Sequence, residues 1–563
     1  MKKYTVLLLF FTILLFAAKF HVALVRSFDP DEFVHLHTAW LLHAGFTPYR
    51  DFFMGVIPLF QWIISPLFLL PDSVILPVVG RVLIFFYYTL TLILLYLITK
   101  HITKLTIPSA LTVAIALIFP ITFDRVLDVR PDTLMMTMFL GSVLLLINPS
   151  SKKYSVLISG VLYAVSFLIY MKIAFAAPAV GLLLYMKNRK KLFPIFISFI
   201  IGCSIPIVLT VFSLWGTGIL SDTITGITRD ALAFTSDVNF SPIAALTPWP
   251  IIYVASPGVS IPWIVSSLLW ILTIIGIPLL ILKNKKIGLF FFTYFLSGIL
   301  YMFTFPRPHT QIFIPFVLMG SILASLTIFY GTSYLKDHVR KPFRIPVLVI
   351  AGTLVTLLFT ASFFIQYQSR LASNPQQKEQ FDALRSIISA VPKNESVYDM
   401  AGSYIFRPDA SYVCCHQCPE CTEKLSRPVG SIKENLIAKQ TKFILLDQQG
   451  YVFWKPRPSD LQFIVTHYLP SRWFKLYVPG VKFVCTNRQC VQYNLHGMKA
   501  FVFPTASFDL PIKGNYQLHT EPEGQTVFVK GISINDGDVR QFDEVNYWFT
   551  PSVSFSLLFF EDK

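Results

Sequence analysis

Residues 4–25 read YTVLLLFFTILLFAAKFHVALV, and the chain then turns at once to Arg26-Ser27-Phe28-Asp29-Pro30-Asp31-Glu32-Phe33-Val34-His35-Leu36-His37. The first stretch carries a single charge, Lys19, and is long enough to cross a bilayer. No convincing small-x-small cleavage site follows it, so it reads as a retained helix rather than a cleaved leader. The second stretch crowds three carboxylates against a membrane surface, where they are costly and usually have a function.

Working outward, the same texture recurs. The 563 residues are 54% hydrophobic and only 14% charged, with a mean hydropathy of +0.60. Such a chain is a polytopic membrane protein and not a soluble enzyme with an anchor. Apolar spans fall near 4–25, 76–99, 105–121, 132–148, 154–171, 173–186, 193–215, 261–282, 287–305, 311–330 and 346–366. That is about eleven spans on a rule of ~20 residues each, several of them short.

With the N-terminus in the cytoplasm, every cytoplasmic segment is basic: Lys2 and Lys3; Lys100 and Lys104; Lys152 and Lys153; Lys187 to Lys191; Lys283 to Lys286; Lys336 to Arg344. The positive-inside rule requires this. The formal charge of +16 is therefore topological and implies no nucleic-acid partner. Before residue 367 only Asp337 among the acids falls on the cytoplasmic side. Acids contribute little to topology, so their gathering on the outer face is separate information and marks a chemically active exoplasmic surface.

Within the first exoplasmic loop, 26–75, Phe33, Leu36, Trp40, Leu41 and Ala44 recur at helical spacing. They predict an amphipathic interfacial helix ended by Gly45. Residues 56–70, interrupted by Pro58 and Pro66, predict a second interfacial or re-entrant helix. A second long loop, about 216–260, carries Asp222, Arg229, Asp230 and Asp237 and has the length of a gating loop.

Beyond 366 the texture changes: residues 367–563 hold 19 of the 31 acids and no membrane-length apolar run. We expect an exoplasmic α/β or mainly β domain. Short apolar runs at 396–400, 442–446, 462–466 and 526–529 alternate there with helical stretches at 379–390 and 431–439. Six of the seven cysteines lie in it. Cys485 and Cys490 flank a turn that a disulfide would close. Cys414, Cys415, Cys418 and Cys421, with His416 among them, read as disulfides or as a structural zinc site; an oxidising location favours disulfides.

Three constellations carry chemistry. Asp29, Pro30 and Glu32 have the spacing of a capping box, which explains those residues without requiring Asp31. Asp31 and His35 share a helix face with Glu32 adjacent, an arrangement suited to a proton or a divalent cation. Asp124-Arg125-Val126-Leu127-Asp128-Val129-Arg130-Pro131-Asp132 reads either as a self-paired turn or as an anion site built on arginine. Lys172, Arg307 and His309 stand on the outer side, where the positive-inside rule disfavours cations, and suit a lipid phosphate. No Walker loop, GxSxG elbow or HExxH motif is present.

Taken together, these motifs resemble those of the GT-C fold membrane glycosyltransferases, in particular the group of protein O-mannosyltransferases and lipid A aminoarabinose transferases (glycosyltransferase family 39-like). The match rests on Asp31-Glu32 followed by His35, Gly45, Pro48-Tyr49 and Asp51-Phe52-Phe53; on Arg130-Pro131-Asp132; on Lys172; and on Arg307-x-His309-x-Gln311 with Pro315. It covers about residues 1–366, the catalytic transmembrane domain, leaving 367–563 as the appended domain.

The resemblance implies inverting sugar transfer from a polyprenyl-phosphate monosaccharide to a protein, lipid or envelope-glycan hydroxyl, in a plasma (inner) membrane. It implies Asp31 as base, with Glu32 orienting it or the acceptor. His35, Tyr49, Asp51, Asp128 and Asp132 would belong to the substrate site, and Arg130, Lys172, Arg307 and His309 would hold the donor phosphate. Some relatives use a divalent cation, for which Asp31 and His35 are the candidate ligands. The competing class is a transporter or flippase of a lipid-linked or anionic substrate. It would place polar groups at the bilayer midplane and often show repeated halves.

Overall fold

A backbone carried through hydrocarbon must hydrogen-bond to itself, and the apolar runs do so as helices. The computed structural model describes the chain except for residues 1, 121–122, 149–152, 188–191, 234–259, 305–309, 339–340, 400–401, 413–424, 447–456, 487–488, 494–506, 545, 551–552 and 560–563. Its first two thirds comprise α1 (Lys2–Val25), α2 (Pro30–His43), α3 (Leu59–Ile64), α4 (Leu76–Thr103), α5 (Thr106–Ile118), α6 (Pro131–Ile147), α7 (Lys153–Ile169), α8 (Ala177–Lys187), α9 (Leu192–Gly216), α10 (Leu220–Thr225), α11 (Ile261–Lys283), α12 (Lys285–Thr304), α13 (Ile314–His338) and α14 (Lys341–Leu371).

A helix stands at each of the predicted spans. Among the described residues, six helices are long and apolar enough to cross a membrane by length and composition, α1, α4, α9, α11, α12 and α13. The chain is a polytopic integral membrane protein. Small residues let its helices approach: α7 and α9 cross where a Cβ on Gly160 would strike the Phe199 carbonyl and one on Gly202 the Leu157 carbonyl. Cys203 packs at that crossing, its thiol 3.3 Å from the Gly160 carbonyl oxygen.

Helix α2 forms where its sequence signals it. Asp29 accepts from the Asp31 N–H at 3.1 Å, the Glu32 carboxylate accepts from the Asp29 N–H at 2.9 Å, and Pro30 occupies the first turn. This capping box satisfies donors that the helix start leaves open. Phe33, Leu36 and Ala39 bury against a core that includes Val22, Phe28, Phe60 and Ile64. The chain leaves the helix through Gly45 at φ +91°, a left-handed conformation that glycine adopts without strain. The predicted second helix of this loop is α3 and a following 3-10 turn, Ser65–Leu69.

Beyond α14 the chain forms α15 (Asn374–Ala390), α16 (Ile432–Ala438), α17 (Pro458–His467) and the strands β1 (Val397–Tyr398), β2 (Phe443–Leu445), β3 (Tyr468–Pro470), β4 (Leu476–Thr486), β5 (Gln489–Tyr493), β6 (Ser507–Asp509), β7 (Gly514–Glu521), β8 (Thr526–Val529), β9 (Ile532–Asn535), β10 (Val539–Phe542), β11 (Asn546–Thr550) and β12 (Ser554–Phe559). One sheet runs β1-β2-β4-β12-β7-β10, with β3 and β5 also on β4; a second runs β6-β11-β8-β9. Only the β1–β2 pair is parallel among the described ladders.

The two sheets enclose an aromatic core that includes Phe483, Phe508, Phe549 and Phe555. Cys485 and Cys490 are cross-strand partners in the β4–β5 hairpin and form a disulfide. The other predicted cysteines, Cys414, Cys415, Cys418 and Cys421, lie outside the described residues. One expected element differs: the apolar run 462–466, grouped above with the strand-like runs, belongs to helix α17. Pro458 starts that helix, and Phe463, Ile464, Val465 and Thr466 are buried consecutively rather than alternately.

Candidate active site

The charged residues of the α1–α2 turn, the loop before α6, and single positions on α4 and α14 converge on one cluster. Glu32 lies at its centre, fully buried. Arg81, a lone charge on the buried face of α4, grips it with two parallel bonds, Nε to Oε2 at 2.8 Å and Nη2 to Oε1 at 2.6 Å. Arg26 adds a contact at 3.3 Å and the Val129 N–H another at 3.1 Å.

The remaining N–H groups of Arg81 go to the carbonyls of Ala23 (3.1 Å), Arg26 (2.7 Å) and Ser27 (2.8 Å), and its guanidinium stacks 3.7 Å over Phe28. All five donors of one arginine therefore tie α4 to the end of α1 and the start of α2.

Asp31, the next residue along the helix, points elsewhere. Its side chain is 30% exposed and pairs with Arg130. Arg130 Nε lies 3.4 Å from Asp132, and Asp132 also pairs with Lys172, beneath which the Tyr170 ring lies at 4.8 Å. A second branch runs through Asp29, Arg125, Asp128 and Arg26. It reaches Asp124, which Arg370 at the end of α14 contacts at 3.0 Å.

Burial pushes the Glu32 carboxyl up, but Arg81 and Arg26 outweigh it and hold the carboxyl at about 2. Asp128 shares Arg26 with Glu32; burial, reinforced by the Glu32 charge, pushes it up to about 7. Both carboxylates share Arg26, but Arg81 holds Glu32 with two short bonds whereas Arg125 reaches Asp128 only at 3.4 Å, so Glu32 keeps the charge.

The structure thus brings together Asp31, Glu32, Asp128, Arg130, Asp132 and Lys172. His35 lies one turn along α2, its Nδ1 3.2 Å from Gln61 Nε2 and its ring edge-on to Phe60. Tyr49 and Asp51 lie outside this cluster, Asp51 bonded within its own loop and Tyr49 packed against Gly226. The Tyr49 hydroxyl donates to the Val56 carbonyl at 2.5 Å and its ring occupies the space a side chain on Gly226 would need. Asp51 accepts from the Thr47 N–H at 2.6 Å. Arg307 and His309 lie outside the described residues, as does most of the predicted second loop, 234–259.

Among the described residues no group of three or more His, Cys, Asp or Glu is placed to hold a metal ion. The sequence reading passed over Arg26, Arg81 and Arg370. A signal for Arg81 existed: an ionisable residue inside an apolar helix is a site candidate by default.

A capped helix, an ion cluster at one end of a helical bundle and a sheet-containing C-terminal region make up a polytopic membrane protein. By sequence, no family model and no curated protein matches the chain. By fold, it is similar to ArnT from Cupriavidus metallidurans, solved bound to undecaprenyl phosphate. The identity is 10%, the TM-score 0.58, and the match covers 85% of this chain and 98% of that one. The archaeal oligosaccharyltransferase AglB from Archaeoglobus fulgidus, solved with an inhibitory peptide and a dolichol-phosphate, is similar at 11% identity and TM-score 0.45, over 86% of this chain and 74% of that one.

Proposed function

We propose that this protein is an inverting membrane glycosyltransferase that moves a sugar from a polyprenyl-phosphate monosaccharide to a hydroxyl of a protein, lipid or envelope-glycan acceptor. The observation that carries the reading is Asp31: a partly exposed carboxylate on a rigidly capped helix, beside the Arg130–Asp132–Lys172 chain, in a GT-C fold. ArnT, similar in fold, was solved bound to undecaprenyl phosphate, the lipid phosphate that such a donor would release.

In the reaction, Asp31 takes the proton of the acceptor hydroxyl as its oxygen attacks the anomeric carbon. The bond from that carbon to the phosphate oxygen breaks, and the polyprenyl phosphate departs with the electron pair. Arg130, which pairs with Asp31 and Asp132, would supply positive charge to the departing phosphate. Lys172, and Arg307 and His309 from the sequence, complete the cationic side of the site. Fixed charge aimed at a leaving group is commonly the largest catalytic contribution. Glu32, enclosed by Arg81 and Arg26, orients the turn that presents Asp31 and does not meet the acceptor itself.

The charge map orients the protein with its N-terminus in the cytoplasm, about eleven crossings through residue 366, and residues 367–563 outside, in the plasma membrane.

Asp31→Asn tests the reading. Transfer from a panel of undecaprenyl-phosphate sugars by the purified protein should fall by about 10²- to 10⁴-fold, the usual range for removing a general base. Expression should be unchanged. Full transfer by the variant would remove Asp31 as the base, and movement of lipid without any glycosidic product would replace the enzyme with a carrier.

A further inference from the structure

The C-terminal region reaches back to α2 through a buried polar contact. His37 lies six residues after Asp31 on α2, about 9 Å along the helix axis at 1.5 Å per residue, and is fully buried. Its Nδ1 is 2.8 Å from the Ile405 carbonyl oxygen and its Nε2 is 2.7 Å from Asp409 Oδ1. Both ring nitrogens are therefore engaged by groups of the C-terminal region, one by a backbone carbonyl and one by a carboxyl group. Trp40 stacks beside the ring at 6.1 Å and Tyr404 meets it edge-on at 4.6 Å.

Asp409 is correspondingly loaded. The same Oδ1 accepts the Tyr404 hydroxyl, and the Asp409 carbonyl accepts Lys439 Nζ at 2.7 Å. Its Oδ2 is buried without a hydrogen-bond partner among the described residues. A buried ion pair generally stabilises no better than packed apolar side chains of the same volume, so stability alone does not account for it. What a doubly hydrogen-bonded ring supplies is register: it is satisfied at one rotation and one depth of the helix.

Neighbouring contacts lie along the same seam. Arg407 meets Asp72 at 3.3 Å and the Phe53 N–H donates to the Tyr412 carbonyl at 2.8 Å. Gln380 exchanges two hydrogen bonds with the Phe28 backbone, at 2.8 and 2.9 Å.

We infer that Asp409 is a positioning residue for the active site: through buried His37 it sets the rotation of α2 at which Asp31 meets Arg130. The C-terminal region thus completes the site instead of merely standing beside it. The contact is independent of the reaction, but its catalytic consequence rests on the glycosyltransferase reading above.

The test uses full-length protein in lipid nanodiscs and the variants Asp409→Asn, Asp409→Ala and His37→Gln, with Lys482→Ala in the distant sheet as control. Hydrogen–deuterium exchange should quicken in peptides covering residues 30–43 in the first three variants and not in the control. Peptides of β4 and β12 should keep wild-type protection, showing that the C-terminal region remains folded. With whichever undecaprenyl-phosphate sugar the wild type uses, kcat should fall by about 100-fold, the scale of a 1 Å misplacement, while the donor KM holds. Unchanged exchange over 30–43 in both Asp409→Asn and His37→Gln overturns the inference, and so does a KM that rises with kcat unchanged. A wild-type protein that uses no such donor overturns the reaction instead, and the exchange measurement still decides the contact.

Discussion

The site cluster and the C-terminal sheets handle charge in opposite ways. In the cluster, Arg81 and Glu32 are both 0% exposed. In the sheets, Lys482 and Glu521 pair at 40% and 65% exposure, and Lys530 pairs with Glu544 at a comparable surface position. Exposed pairs are worth about 0–1 kcal/mol and are screened by salt. Buried pairs cost desolvation to form and about 3–5 kcal/mol to break from one side. The sheets are held by an aromatic core and use charge for solubility. The bundle end spends charge inside, where the return is fixed geometry around Asp31.

Arg81→Leu should break this contrast most severely. It strands a buried carboxylate and three backbone carbonyls, so a loss of about 3–5 kcal/mol is expected. It should appear as a large fall in melting temperature and yield in detergent. A variant melting like wild type would show that Arg26 alone suffices.

A smaller effect follows from pH. Glu32 titrates at about 2 in the fold against 4.5 ordinarily, so its stabilisation is present above pH 4.5 and lost as pH falls toward 2. Asp128 titrates at about 7 against 3.8, so the folded state binds the extra proton between those values and stability falls as pH rises through them. Together they predict a melting temperature that peaks near about pH 4.5. A profile that rises steadily from pH 4 to 7 would contradict the retention of a proton by Asp128 in the folded state. Smallest of all, Lys482→Ala should cost less than about 1 kcal/mol, less still at high salt, and leave transfer unaffected.

Much of this was legible in the chain. Asp29-Pro30-x-Glu32 announced the capped start of α2, and the charge map brought Arg130, Asp132 and Lys172 to the side of Asp31. The 462–466 run was misjudged because a short apolar run does not distinguish a strand from a buried helix. Arg81 escaped because its partner lies 49 residues away and no local pattern links them. His37 and Asp409, separated by 372 residues, were invisible for the same reason.

The sequence by itself determined a polytopic membrane protein, the positions of its helices, the cap of α2 and the acidic pair, because hydrophobic length and local hydrogen bonding are properties of neighbouring residues. Only the tertiary structure decided that Glu32 is enclosed by Arg81 and Arg26 while Asp31 pairs with Arg130 at a partly exposed position. Adjacent residues on a helix point about 100° apart. Which of them faces Arg81 inside the bundle, and which faces Arg130, depends on how α2 is rotated against α1, α4 and residues 405–409.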